Sequence, residues 1–197
     1  MKERLMKYMN KFTSLTEDEQ RAILSDRRVE EFERGTLLLR QGEPLDKCYF
    51  VLLGCVRQYS VDEDGKEVTS NFYTEEQAIA YFNRPKQGST SDYSLICLEF
   101  CVLVVGQLDA EQGMYEKYKQ LETMTRRMIE ENFGEVQDQF AAFIASTPEE
   151  RYKNLLLSRP GLADRVPQHQ LASYLGMTPE SLSRMKKKVP LNAGRNP

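Results

Sequence analysis

The spacing of apolar residues changes twice along the chain and divides it into three segments. Over residues 1–111, short apolar and β-branched runs alternate with polar turns. Over residues 112–146, apolar residues recur at steps of three and four, and residues 147–197 repeat this helical spacing between turn residues. Strands and helices differ in period, so the pattern predicts a β domain, a long helix and a helical C-terminal domain.

The first segment is predicted to form an antiparallel β domain, a sandwich or jelly roll, after one short helix. The helix is expected from Thr16 to Leu24, because Thr16 and Glu19 have the spacing of a capping box. Strand-like runs follow, separated by turns and loops: TLLLRQ, CYFVLLGCVRQYSV, VTSNFY and YSLICLEFCVLVV. Short strands bounded by turn residues are typical of these all-β architectures.

The second segment contains no proline and predicts one long helix. At ~1.5 Å per residue it extends on the order of 50 Å, which is more than one small domain covers. We therefore expect its apolar stripe to contact a second copy of the chain. The residues expected at this dimer interface are Tyr118, Leu121, Met124, Met128, Ile129, Val136 and Phe140. The alternative is a helix that packs only on its own β domain.

The stretch from Val166 to Lys188 has the spacing of two short helices joined by a glycine turn. Leu171, Ala172 and Leu175 form an apolar stripe in the first helix. Gly176 follows where a helix end prefers a left-handed residue. The stretch therefore predicts a helical hairpin.

The second helix of this hairpin is predicted to begin at Pro179, with Thr178 as its N-cap. Leu182 and Met185 face inward, and the outward positions are polar and largely basic. Such side chains contact the bases and phosphates of DNA. The expected DNA-binding residues are Gln168, His169, Thr178, Pro179, Glu180, Ser181, Ser183, Arg184, Lys186, Lys187 and Lys188. The alternative is a hairpin whose basic end is only solvated.

The charge distribution favours a DNA partner. Residues 165–197 hold six Lys or Arg against one Asp or Glu, whereas the whole chain has a net charge of −3. A basic tail on an acidic body suits a module that neutralises phosphates. No apolar run approaches the ~20 residues that span a bilayer, and the N-terminus lacks an apolar signal core. We therefore expect a cytoplasmic protein with no membrane partner.

Neither a metal site nor an enzyme active site is predicted. Cys48, Cys55, Cys97 and Cys101 lie in strand-like apolar runs without a CxxC pair, so buried free thiols are expected. His169 is the only histidine, which excludes a multi-histidine site within one chain. No Gly-rich phosphate loop, GxSxG or HExxH sequence is present, and nothing nominates a nucleophile.

The order of β domain, long helix and basic hairpin resembles the Crp/Fnr family of bacterial transcription regulators, named for the cyclic AMP receptor protein. The most specific matching pieces are Gly42-Glu43-Pro44 before the strand Cys48 to Leu53, Gly54 and Val56 after it, and Leu171 to Arg184 in the hairpin. The resemblance covers nearly the whole chain.

This resemblance implies an α+β architecture with three parts. Residues 1–111 would form an antiparallel β jelly roll like a cyclic-nucleotide-binding domain, residues 112–146 a dimerisation helix, and residues 147–197 a helix-turn-helix domain. It implies a homodimer that binds an inverted repeat in double-stranded DNA. Activation would also require a surface for RNA polymerase.

The cyclic-nucleotide cassette is where the sequence departs from the family. Its nucleotide binders use an F-G-E segment, whose glutamate takes the ribose 2′-OH, and an R-S/T-A segment, whose arginine holds the cyclic phosphate. Here the corresponding stretches are Ile79-Ala80-Tyr81 and Ser91-Asp92-Tyr93. Because both charged partners are missing and Asp92 would repel a phosphate, we expect cyclic AMP to bind weakly or not at all.

No other cofactor is predicted, and the effector is unidentified. The residues expected to line its pocket are Tyr81, Arg84, Lys86 and Ser91. Two functions stay open at this point: a homodimeric sequence-specific DNA-binding regulator, or a small-molecule-binding regulatory module that acts through a protein partner. Binding that weakens steeply with salt would favour the DNA-binding function.

Overall fold

A computed structural model describes residues 6, 9–11, 15–25, 28–79, 90–107, 113 and 115–188. The strands in these ranges are β1 (Arg28–Phe32), β2 (Leu37–Leu39), β3 (Lys47–Leu53), β4 (Val56–Val61), β5 (Glu67–Tyr73), β6 (Ala78–Ile79), β7 (Ser94–Cys97) and β8 (Cys101–Gln107). The helices are α1 (Glu17–Ser25), α2 (Lys119–Ala145), α3 (Pro148–Ser158), α4 (Leu162–Arg165), α5 (Gln168–Tyr174) and α6 (Pro179–Lys188).

The strands form two four-stranded sheets. The first has the order β1-β8-β3-β6 and the second the order β2-β7-β4-β5. In the first sheet, β1 and β3 both pair antiparallel with β8, so that Glu30 lies opposite Leu103 and Phe50 lies opposite Val104. The predicted antiparallel jelly-roll-like domain is therefore confirmed.

One face of β8 lies in an apolar cluster that joins strands of both sheets. Cys101, Leu103 and Val105 point into it and meet buried residues such as Val51 of β3 and Leu95 of β7. Removing such side chains from water is worth about 1.5–3 kcal/mol each for the larger aliphatic ones. This shared cluster holds the two sheets against each other.

The opposite face of β8 lies in a second apolar cluster, which the helices cover. Val102 and Val104 point into it, and Ile23 of α1 and Leu121 and Met124 of α2 pack there as buried residues. Because β8 is buried on both faces, its sequence is continuously apolar rather than alternating.

Helix α2 lies within the long helix that the sequence predicts over residues 112–146, and it begins at Lys119 rather than at residue 112. Its first turns pack on the β domain of its own chain. Leu121 and Met124 are buried there, and Tyr118 just before the helix is partly buried against the same cluster. These three residues were expected at the dimer interface, and in the single chain they contact the β domain. No helix in the described ranges is long and apolar enough to cross a membrane.

Local signals for the helix starts are confirmed. The Thr16 N–H donates to the Glu19 carboxylate at 2.8 Å, and the Glu19 N–H donates to the Thr16 hydroxyl at 3.3 Å. A second capping box joins Thr147 and Glu150 at the start of α3. The threonine backbone N–H and then the threonine hydroxyl donate to the glutamate carboxylate, and these bonds lower the pKa of Glu19 and Glu150 because they favour the ionised form.

The chain divides into two compact units. The first contains residues 1–58 and 72–135, and the second contains residues 59–71 and 136–197. The second unit therefore includes the tip of the β4–β5 hairpin and the end of α2 together with the C-terminal helices. The domain limits expected after residues 111 and 146 stay predictions.

Gly54, in the turn between β3 and β4, has a positive φ and lies against the start of β8. Its φ is +104°, and a Cβ there would lie 2.6 Å from both the Cys101 Sγ and the Phe100 carbonyl oxygen. We expect Gly54→Ala to lower the free energy of unfolding by about 2 kcal/mol or more, since the clash adds to the backbone strain. Urea unfolding measures this loss.

Gly42→Ala is the matched control for that substitution. Gly42 also has a positive φ, +89°, but a Cβ there would have no atom within 4 Å. We expect the free energy of unfolding of this variant to fall by about 1–2 kcal/mol, which is the cost of the backbone strain alone. Equal losses in the two variants would show that the close approach at Gly54 has no energetic weight.

Candidate nucleic-acid interface

A tight glycine turn joins α5 to α6. Gly176 has φ +68°. The Met177 N–H donates to the Ala172 carbonyl at 3.0 Å, and the Gly176 N–H donates to the Ser173 carbonyl at 3.1 Å. This pair of bonds is the Schellman pattern, which satisfies carbonyls that a helix end leaves without intrahelical partners. The glycine turn that the sequence predicts is therefore present.

The start of α6 is fixed by a side-chain cap, as the sequence predicts. The Ser181 N–H donates to the Thr178 hydroxyl at 3.2 Å, and Pro179 is the first helical residue. The pKa of Glu180 is lowered, first by a bond from its own backbone N–H, then by the Thr178 hydroxyl and the charge of Arg184. Glu180 is therefore an ionised acceptor at the start of α6.

The inward side of the hairpin is apolar. Leu171 and Ala172 of α5 and Leu182 of α6 are fully buried, and Leu175 is nearly so. Met185, which was also expected to face inward, is half-buried. The buried positions fix which side of each helix stays accessible.

The expected DNA-binding residues all keep accessible surface. The exposed residues are Gln168, His169, Thr178, Pro179, Glu180, Arg184, Lys187 and Lys188. The half-buried residues are Ser181, Ser183 and Lys186. The resulting surface combines hydroxyl groups, one carboxylate and a basic end, which are groups that contact base edges and phosphates.

Two hydrogen bonds organise this surface. The Gln168 side chain donates to the Pro179 carbonyl at 3.2 Å, which joins the start of α5 to the first turn of α6. The Arg184 guanidinium donates to the Ser181 hydroxyl at 3.4 Å. The outer face of α6 is thus held by contacts within the hairpin.

The basic end of α6 lies near an acidic side chain of α3. Glu149 pairs with Lys153 at 2.7 Å. The pKa of Glu149 is lowered, first by the Lys153 hydrogen bond and charge, with a further contribution from the charge of Lys188. Lys188 therefore has a carboxylate in its surroundings, a feature that the hairpin sequence does not reveal.

Sequence reasoning missed a contact between the β4–β5 hairpin and α5. The Ser173 hydroxyl accepts the Thr69 N–H at 3.0 Å and donates to the Glu67 carbonyl at 3.5 Å. One hydroxyl thereby satisfies two backbone groups on the edge strand β5. No pattern around Ser173 signals this, because its partners lie about a hundred residues earlier in the chain.

Arg151 is a second residue that sequence reasoning missed. Its guanidinium bonds to the carbonyls of Phe143, near the end of α2, and Leu175, at the end of α5. The preceding capping box predicts the start of α3 but says nothing about where an arginine in its first turn points.

The expected effector pocket is only partly within the described residues. Tyr81, Arg84 and Lys86 lie outside them. Ser91 is buried, and its hydroxyl donates to the Tyr93 carbonyl at 2.6 Å and accepts the Tyr93 N–H at 3.2 Å. The Ser91 hydroxyl is therefore engaged within its own turn.

The far end of α2 carries exposed apolar side chains. Phe140 is 66% exposed and Ile144 is 65% exposed, one helical turn further on. Phe140 was expected at the dimer interface, and Ile144 was missed although it continues the same stripe. The side chains of Met128, Ile129 and Val136 lie outside the described part of the structure.

The four cysteines are free, and Cys55, Cys97 and Cys101 are buried, as the sequence predicts. Cys48, which was also expected to be buried, is only half-buried. The hydrogen bond to Cys101 and burial raise the pKa of the Cys97 thiol. Within the described ranges, no group of three or more His, Cys, Asp or Glu side chains is arranged to hold a metal ion.

Comparison with known proteins places these elements in context. Residues 29–118 match the model of the cyclic nucleotide-binding domain. Electron transport regulator A of Shewanella oneidensis is 21% identical over 168 residues, which cover 80% of this chain and 67% of that protein.

Two solved structures are similar over most of the chain. FixK2 from Bradyrhizobium japonicum has a TM-score of 0.68 at 17% identity, covering 82% of this chain and 83% of that one. The c-di-GMP-responsive global regulator CLP of Xanthomonas campestris has a TM-score of 0.65 at 16% identity, covering 85% and 88%. Residues 29–118 are thus similar to the cyclic nucleotide-binding domain, and the chain shares its fold with FixK2 and with the global regulator CLP.

Proposed function

We propose that this protein is a homodimeric, sequence-specific DNA-binding transcription regulator whose helical hairpin α5–α6 is a helix-turn-helix. The observation that carries the proposal is the accessible, basic face of α6. The start of this helix is fixed by the Gly176 turn and the Thr178 cap. The fold shared with known regulators supports the same conclusion.

In this proposal α6 lies in the major groove of DNA. Arg184 has the forked donors that bond to guanine O6 and N7, and Glu180 is an ionised acceptor for cytosine N4. Lys186 and Lys187 follow at the basic end, where they would lie close to phosphates. Arg184 would exchange its bond to the Ser181 hydroxyl for base contacts.

Dimerisation through the end of α2 is supported by its exposed apolar side chains. Phe140 and Ile144 are spaced by four residues, so they lie on one face of the helix. A second copy of α2 would remove both from water. Two symmetry-related hairpins would then contact successive major grooves about 34 Å apart, which requires an inverted repeat.

The β domain is proposed to sense an effector other than cyclic AMP. Asp92 is exposed, and the Ser91 hydroxyl is already used by Tyr93. Neither residue offers the positive charge that a cyclic phosphate needs. The protein would act in the cytoplasm on double-stranded DNA, and activation of transcription would also require a surface for RNA polymerase.

Arg184→Ala tests the DNA-binding proposal. Selection from random duplexes should first enrich an inverted repeat for the wild-type protein. The variant should then lose about 1–3 kcal/mol of specific binding and discriminate less at one position of each half-site, since a bidentate contact is gone. Fluorescence anisotropy on duplexes with single base changes measures both effects.

Lys187→Ala is the matched control for that experiment. Loss of a phosphate contact should weaken binding uniformly across sequences and reduce the salt slope by about 1. The proposal fails if selection enriches nothing, or if Arg184→Ala leaves specific affinity unchanged.

Ile144→Glu tests the dimer. A charge on the exposed apolar face of α2 should dissociate the dimer, because it would be buried without a partner at the interface. Sedimentation equilibrium measures the dissociation constant. Leu157→Glu is the control, since Leu157 is 72% exposed on α3, outside the proposed interface. A protein that is monomeric before substitution, or a variant that stays dimeric, would contradict this interface.

Titration calorimetry with cyclic AMP tests the sensor proposal. We expect no binding heat at micromolar nucleotide, because the residues that replace the family's arginine segment supply no cation for the phosphate. A site of micromolar affinity or tighter would overturn this prediction.

A further inference from the structure

Arg151 joins the ends of two helices within the second unit. Its Nε donates to the Phe143 carbonyl at 2.9 Å, and its Nη1 donates to the Leu175 carbonyl at 3.2 Å. Phe143 lies in the last turn of α2, and Leu175 is the C-cap of α5. One side chain of α3 therefore bridges the long helix and the helical hairpin.

Both carbonyls are chemically suited to a cation. The last four carbonyls of a helix have no intrahelical partner, and the helix dipole gives this end partial negative charge. A guanidinium has several donors in a rigid plane, so it can bond to two such carbonyls at once. The bridge thus satisfies backbone groups at two helix ends.

The plane of the guanidinium is fixed by an aromatic ring. The Arg151 Cζ lies 3.8 Å from the centroid of the Phe143 ring, a cation–π distance. A Cβ at Gly176 would lie 2.9 Å from Arg151 Nη1 and 3.5 Å from the Phe143 ring. Gly176 therefore supplies both the positive φ of the turn and the space that Arg151 occupies.

The backbone of Arg151 is itself held in place. Its N–H donates to the Thr147 carbonyl at 3.0 Å, in the turn that the Thr147–Glu150 capping box closes. The next residue, Tyr152, is fully buried. The side chain therefore extends from a fixed point across the short connection between α2 and α3.

We propose that Arg151 is a positioning residue that sets the orientation of the helical hairpin relative to the end of α2. The inference rests on the proposed function, since two hairpins must meet two half-sites at one spacing. The bonds that close the glycine turn and the Thr178 cap do not involve Arg151. The bonds from α3 to the carbonyls of Phe143 and Leu175 come from Arg151.

Arg151→Met tests this role by comparing two duplexes, one with the selected inverted repeat and one with a single half-site. Half-site affinity should stay within roughly twofold of wild type, because each hairpin is intact. Full-site affinity should fall roughly tenfold or more, since the second contact is no longer at the matching geometry. The variant should also discriminate less than the wild-type protein between duplexes that differ in half-site spacing.

Two further variants complete the test. Lys153→Met removes an equal charge from the same helix and should leave the ratio of full-site to half-site affinity unchanged. Arg151→Lys keeps the charge but lacks the planar fork, so it should restore this ratio only in part.

If Arg151→Met lowers full-site and half-site affinity by the same factor, their ratio is unchanged, and Arg151 contributes only to the folding of the hairpin. The inference is also overturned if neither affinity changes. A wild-type protein that enriches no duplex would overturn the proposed function itself, and this inference with it.

Discussion

The burial of β8 on both faces is the constraint on which the β domain depends. One face contributes Leu103 to the cluster shared by the two sheets, and the other contributes Val102 and Val104 to the cluster beneath α1 and the start of α2. A polar residue at any of these positions would leave an unpaired polar group in a packed interior. The same strand therefore holds the sheets together and anchors the beginning of the long helix.

In the second unit, the structure of the short helices depends on hydrogen bonds at the helix ends. Thr147 caps α3, Thr178 caps α6, and a Schellman turn ends α5 at Gly176. Arg151 adds a bond across the ends of α2 and α5. Short helices gain little from propensity alone, so these end contacts and the buried apolar side of the hairpin determine its shape. That shape leaves the basic face of α6 accessible.

Features that depend on a few neighbouring residues were predicted from the sequence. The Thr16 capping box, the Thr178 cap and the left-handed Gly176 involve partners within five residues, so the pattern alone carries the information. Strand β1 was missed because RVEEF is polar, and it becomes a strand only by pairing with β8 at the edge of the sheet. The two residues of β6 are likewise a strand only through their partner β3.

The sequence by itself determined the order of β domain, long helix and basic hairpin, because hydrophobic period and capping residues act locally. Only the tertiary structure decided that Leu121 packs on its own β domain while Ile144 stays exposed. Both residues belong to one apolar stripe, and the helical spacing is the same at both ends of it. The tertiary structure also determines the hydrogen bonds of Arg151 and Ser173, whose partners include residues 24 and 104 positions away. Such contacts depend on where the chain returns in space, which no local pattern encodes.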